Sequence, residues 1–93
     1  VLMLGKIDDI DEVYINGKRV AHTGKMQDQP SMINVNDEYS RNRYYYLDEE
    51  DVVSGKINTI AIRVFDKGGE GGIYEGPVGL IELRRFIRYW RSR

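Results

Sequence analysis

Apolar and polar positions along the chain alternate in short runs broken by turn residues, a pattern of strands rather than long helices. Val1–Leu4 is an apolar run stopped by Gly5. The stretch that follows, Lys6-Ile7-Asp8-Asp9-Ile10-Asp11-Glu12, is too charged for a central strand. Val13 to Val20 carries the clearest short-range signal, two β-rich runs flanking Asn16-Gly17. A two-residue hairpin loop of type I′ needs φ > 0 at both central residues, which Asn and Gly tolerate best. The spacing predicts a hairpin with Val13 and Ile15 on one face and Tyr14 on the other.

From Ala21 to Arg43 the chain is polar and without period, a span of about twenty residues, longer than a typical connection. It is either functional or holds an irregular strand. Tyr44-Tyr45-Tyr46-Leu47 reads as a strand. In Asp48-Glu49-Glu50-Asp51-Val52-Val53, carboxylates stand where a first helical turn favours them and Gly55 supplies the stop, so a single turn of helix is expected. Ile57–Asp66 is the best core strand, with Ile60, Ile62 and Val64 forming one apolar face. A loop with five glycines, Asp66 to Pro77, then leads to a last strand, Val78–Leu83. Strands separated by turns with almost no helix predict an all-β, antiparallel sandwich.

The chain's 93 residues allow one domain with a small core. There is no cysteine and only one histidine, His22, which excludes disulfides, thiolate metal sites and His-rich metal sites. No apolar run reaches the roughly 18 residues of a membrane-spanning helix. The chain opens on Val1 instead of Met, as expected of a piece cut from a longer protein. Charge is unevenly spread. Residues 1–79 hold nine Lys/Arg against fourteen Asp/Glu, a balance of −5, and residues 80–93 hold five Arg against Glu82, a balance of +4. The tail (84–93) interleaves its arginines with Phe86, Ile87 and Trp90 at helix-like spacing after Leu83, which predicts a short basic amphipathic segment, helical or extended. The favoured reading docks its apolar face on the body formed by residues 1–83, over an anionic partner.

The chemistry-bearing motifs are weak. Gly68-Gly69-Glu70-Gly71-Gly72 lacks the Gly-Lys-Ser/Thr of a phosphate loop, and a strand instead of a helix follows it. Asp8-Asp9-Ile10-Asp11-Glu12 offers carboxylates for acid/base work or for a calcium ion, without the spacing of an EF-hand. The stronger expectation is that one or two of these aspartates cap turns. Tyr44-Tyr45-Tyr46 with Arg41 and Arg43 offers an aromatic platform on which sugars or bases stack, although alternation lets only Tyr45 or the Tyr44/Tyr46 pair face solvent. The acidic body disfavours nucleic acid. Ser31, Ser40 and Ser54 have no nucleophile-elbow context, and no catalytic constellation emerges.

Several ordered segments together resemble the galactose-binding-domain-like jelly rolls of family 2 glycoside hydrolases (the β-galactosidase type) and of sialate O-acetylesterases. They are Leu4-Gly5-Lys6-Ile7-Asp8-Asp9-Ile10-Asp11-Glu12-Val13, then Asn16-Gly17 and Thr23-Gly24. Next come Asn58, Ile60, Ala61, Arg63, Val64 and Asp66 before the glycine loop, and Gly76-Pro77-Val78-Gly79-Leu80 closes the series. The resemblance implies a jelly-roll sandwich of roughly eight strands, of which five or six are present, so it is truncated at its N-terminal side. It further implies a non-catalytic, carbohydrate-binding accessory module of an exported bacterial hydrolase or esterase, periplasmic or extracellular, beside the remaining domains of its parent. A second class it implies is the extracellular sensing domain of a bacterial membrane signalling protein. Asp8, Asp9, Tyr45, Asp66 and Tyr74 are the expected carbohydrate contacts. No cofactor is implied, a structural calcium lacks a supporting motif, and a homodimer could complete the sandwich.

Overall fold

The computed structural model describes residues 1–27, 33, 35, 37–66, 68 and 71–91, of which 89–91 by backbone alone. Among the described residues there are six strands and one helix: β1 (Leu2–Asp8), β2 (Ile10–Ile15), β3 (Lys18–Thr23), β4 (Asn42–Tyr45), β5 (Ile60–Phe65), β6 (Gly72–Leu80) and α1 (Leu83–Arg91). They form two antiparallel three-stranded sheets, ordered β4-β1-β6 and β3-β2-β5. The described residues form an all-β fold with a single short helix, as the periodicity predicts.

The two sheets share one core of Leu2, Leu4 and Ile7 from β1 and Val13 from β2, with Val20, Ala21, Tyr45, Leu47, Ile62 and Val64 packed around it. Asn16-Gly17 turns the β2–β3 hairpin with φ of 51° and 84°, as its chemistry requires. Val13 and Ile15 are buried and Tyr14 is only half-buried. Glu49–Asp51 forms the expected single turn, here 3-10, closed by a capping box between Asp48 and Asp51.

Three expectations are corrected. The charged stretch does not interrupt the sheets: β1 runs on through Gly5 to Asp8, and β2 begins at Ile10 and is central to its sheet, with Asp11 and Glu12 buried. Its charges are tolerated because arginines pair with them, Arg43 with Asp11 and both Arg19 and Arg63 with Glu12. Gly5 does not stop β1 because it forms an irregularity in the ladder; at φ +63°, a Cβ there would lie 1.7 Å from the Glu75 carbonyl oxygen. The last strand starts six residues earlier than Val78 and ends at Leu80, where the chain turns into α1.

Among the described residues of the tail, Phe86 docks on the body. Phe86 is buried, its ring 5.4 Å from that of Tyr44 and 5.9 Å from that of Tyr46. Leu83 and Ile87 stay about half exposed. The side chains of Tyr89, Trp90 and Arg91, together with Arg93 and Gly69, lie outside the described residues.

Candidate functional site

At one end of the molecule the chain crosses from β1 into β2 through Asp8-Asp9, and β5 ends and β6 begins beside that crossing. The Asp9 N–H donates to the Phe65 carbonyl at 2.9 Å, and Asp8 lies opposite Gly72 in the β1–β6 ladder. This topology converges three carboxylates that sequence separates by nearly sixty residues. One oxygen each from Asp8, Asp9 and Asp66 lies within 4.8 Å of the others, with Asp9 buried and Asp8 and Asp66 half-buried. The Gly68 N–H donates to Asp66 Oδ1 at 3.2 Å, and a Cβ on Gly71 would meet Asp66 Oδ2 at 2.7 Å. Asp66 therefore also anchors the start of the glycine loop, and Gly71 lies against its side chain where a larger residue would clash.

Tyr74 stands two residues along β6 from Gly72. Its hydroxyl donates to the Tyr39 carbonyl, and both rings are about half exposed. Tyr39 lies in the short 3-10 turn Glu38–Ser40, inside the polar connection that shows no period. Three of the five expected contacts, Asp8, Asp9 and Asp66, thus gather at one end, and Tyr74 follows two residues along β6 from the Gly72 that lies opposite Asp8.

Tyr45 is set apart from them. Its ring packs against the core, and its hydroxyl donates to Asp11 Oδ2 at 2.6 Å and meets Thr23 Oγ1 at 2.6 Å. Burial, followed by the Asp11 carboxylate, raises the phenol's pKa far above its usual value. Alternation along β4 turns Tyr44 and Tyr46 outward instead, where Phe86 covers part of both.

Beside Tyr45, Arg43 is fully buried and every donor it uses is met. Nε donates to Asp11 Oδ1 at 2.8 Å, Nη2 to the Asp9 carbonyl at 2.7 Å, and Nη1 to the carbonyls of Arg41 and Glu38. Arg43 and Tyr45 share the inward face of β4, and the i, i+2 spacing Arg43-x-Tyr45-x-Leu47 is the signal that locates this interior arginine. On the outer face of the other sheet, Glu12 accepts from Arg19 at 2.8 Å and from Arg63 and Tyr14 at 3.2 Å each. The hydrogen bond from Arg19 is the main reason its carboxyl lies below the usual carboxylate range.

His22 holds a turn, its Nδ1 donating to the Gly24 carbonyl at 2.8 Å. The glycine loop leads into β6, so it has no helix N-terminus with which to cradle a phosphate.

The converging carboxylates are hard oxygen donors of the kind that calcium takes. Calcium takes six to eight such ligands, and among the described residues no further His, Cys or carboxylate joins the three. Their direct capacity is to accept hydrogen bonds from a polyhydroxyl ligand. No protein-family model matches the chain, nor does any curated protein or solved structure.

Proposed function

We propose that the chain is the carbohydrate-binding part of a galactose-binding-domain-like jelly roll, an accessory module that serves a catalytic neighbour in a larger exported bacterial glycoside hydrolase or carbohydrate esterase. The observation that carries this reading is the meeting of Asp8, Asp9 and Asp66, with half-exposed Tyr74 two residues along β6 from the Gly72 that faces Asp8. Carboxylates accept hydrogen bonds from vicinal hydroxyls, and a half-exposed tyrosine ring offers a face to sugar C–H groups. Two antiparallel sheets with the contacts on loops and strand ends are the expected setting for such a module. Binding is reversible and weak, since affinity depends on a few polar contacts.

Titrating the chain with methyl β-galactoside and a panel of neutral oligosaccharides, read by amide chemical shifts, tests the reading. Shifts confined to residues 8–9, 66–74 and 39 are expected, and Tyr74→Phe should leave affinity nearly intact whereas Tyr74→Ala lowers it several-fold. Asp66→Asn lowers affinity at an unchanged melting temperature if the carboxylate touches sugar. If it costs stability with no binding to lose, Asp66 is purely a loop anchor and the reading fails. Absence of shifts with every sugar also sinks it.

A further inference from the structure

Each sheet has two edges, and three of the four carry protection against strand addition. β3 presents Lys18, Arg19 and His22, β4 is only four residues long, and β6 contains Pro77 and a register that shifts twice against β1. β5 has none of these. It is six residues, Ile60-Ala61-Ile62-Arg63-Val64-Phe65, in unbroken register with β2, and among the described residues it pairs with β2 alone. Its one charge, Arg63, is held back toward its own sheet by Glu12 at 3.2 Å.

The ladder fixes which backbone groups are spare. The Thr59 and Phe65 carbonyls accept from Asn16 and Asp9, so odd-numbered residues turn their N–H and C=O toward β2. Ile60, Ile62 and Val64 turn theirs to the open edge. Their side chains belong to the core face, opposite Ile15, Val13 and Asp11, yet Ile60 remains 42% exposed and Ile57, just before the strand, 98% exposed.

We propose that this edge is where a second copy of the chain adds its own β5, antiparallel across a two-fold axis. Three conditions select that occupant and its register. The inner row must stay inner in both copies, which permits only shifts of two residues. A register centred on Arg63 sets arginine opposite arginine, and like charges directly opposite destabilise. One centred on Ala61 runs Val64 past the strand's start. The register centred on Ile62 sets Ile62 against Ile62, Ile60 against Val64 and Ala61 against Arg63. It joins β-branched residues to β-branched residues and satisfies about six backbone groups per copy. A single-strand contact is smaller than the ~1,600 Å² of a standard interface, so the dimer is weak and depends on concentration. A formal charge of −1 opposes it little.

The test is sedimentation velocity over a hundredfold range of concentration, on the chain and three variants. Ala61 is exposed, and in the dimer it faces the partner's Arg63 at a narrow, non-hydrogen-bonded pair. Ala61→Glu should tighten the dimer and Ala61→Lys loosen it, with dissociation constants about tenfold apart or more because the pair occurs twice, and the gap should shrink in high salt. Ile60→Pro, at the half-exposed first position of the strand, removes an outward N–H that β2 does not use, and should leave only monomer with its far-ultraviolet circular dichroism intact. A monomer at every concentration overturns the proposal. So does a dimer indifferent to the charge at position 61, which would place the contact on another surface or with a different strand.

Discussion

Between β3 and β4 the two sheets close over a charged interior, whereas along β5 and β6 they leave apolar side chains in water. The closed flank holds Arg43 and Asp11 with no exposed side-chain surface, joined to Tyr45 and Thr23. On the open flank, Ile73 is 42%, Val78 58% and Leu80 56% exposed, though each faces a buried partner on β1: Ile7, Leu4 and Leu2. Polarity is thus inverted relative to the usual rule. A buried ion pair survives on the closed side because every donor and acceptor is met, and the apolar row on the open side persists because nothing among the described residues covers it.

The largest effect belongs to the closed flank. Arg43→Met should cost about 3–5 kcal/mol, because it strands the Asp11 carboxylate in the interior without its cation. Urea denaturation checks this. Replacing Asp11 by Leu in the same chain should restore much of the loss, since the unpaired charge goes with it. A double variant as unstable as the single one would mean that the arginine's three bonds to backbone carbonyls, and not the ion pair, hold β4 to the connection before it and to the β1–β2 crossing.

Next comes a matched pair across the β1–β6 ladder. Leu2 and Leu80 face one another, yet one is buried and the other mostly exposed. Leu2→Ala should cost about 2–5 kcal/mol through lost burial and a cavity, and Leu80→Ala no more than about 1 kcal/mol. Equal losses would show that the open flank is covered in solution. Repeating the pair at low and high protein concentration then locates any cover supplied by another molecule.

How much of this was legible follows the same division. The hairpin at Asn16-Gly17, the turn at Glu49–Asp51 and the β5 strand are local signals, carried by turn chemistry and alternation within a few residues. The first half of β2, Ile10–Glu12, was not legible, because Asp11 is neutralised by Arg43 more than thirty residues away, and Glu12 by Arg19 on the next strand and by Arg63 more than fifty residues away. Alternation correctly gives Ile60, Ile62 and Val64 one face, but burial depends on what lies opposite, so the strand that reads as best core is a half-covered edge. Among the candidate contacts, proximity in sequence grouped Asp8 with Asp9. Bringing in Asp66 required the β1–β2 crossing, and moving Tyr45 inward required its tie to Asp11.

A smaller effect should come from the loop that delivers β5. Asn58 Oδ1 accepts from Asn16 Nδ2 and from the Val53 N–H, each at 2.8 Å, and its Nδ2 donates to the carbonyls of Val53 and Lys56. These bonds bind residues 53–58 to the hairpin turn at the start of the open edge. Asn58→Ala should cost about 1–2 kcal/mol, because the groups it leaves are solvated. Hydrogen exchange should then accelerate in β5 and stay unchanged in β1. Uniform acceleration would mean the two flanks open together and their contrast has no dynamic counterpart.

The smallest effect concerns the clamp that ties β5 to its sheet. Glu12 reaches Arg19 on β3 and Arg63 on β5 from the central strand, and its carboxyl lies below the ordinary value of 4.5 chiefly through the Arg19 hydrogen bond. A carboxyl depressed on folding contributes stability that is complete above its unfolded value and fades as pH falls through the folded one. Both arginines are more than half exposed, so screening limits the contribution to about 1 kcal/mol. Glu12→Gln should therefore be less stable than the parent at neutral pH, by a margin that holds down to about pH 4.5 and closes below it. Asp37 offers the contrast within the same scan. Arg41 lowers its carboxyl too, but the pair is exposed, and Asp37→Asn should leave the melting temperature unchanged at every pH. If the Glu12→Gln margin persisted below the folded value, the glutamate would act through packing and not through its charge. The open edge would then be held by the β2–β5 ladder alone.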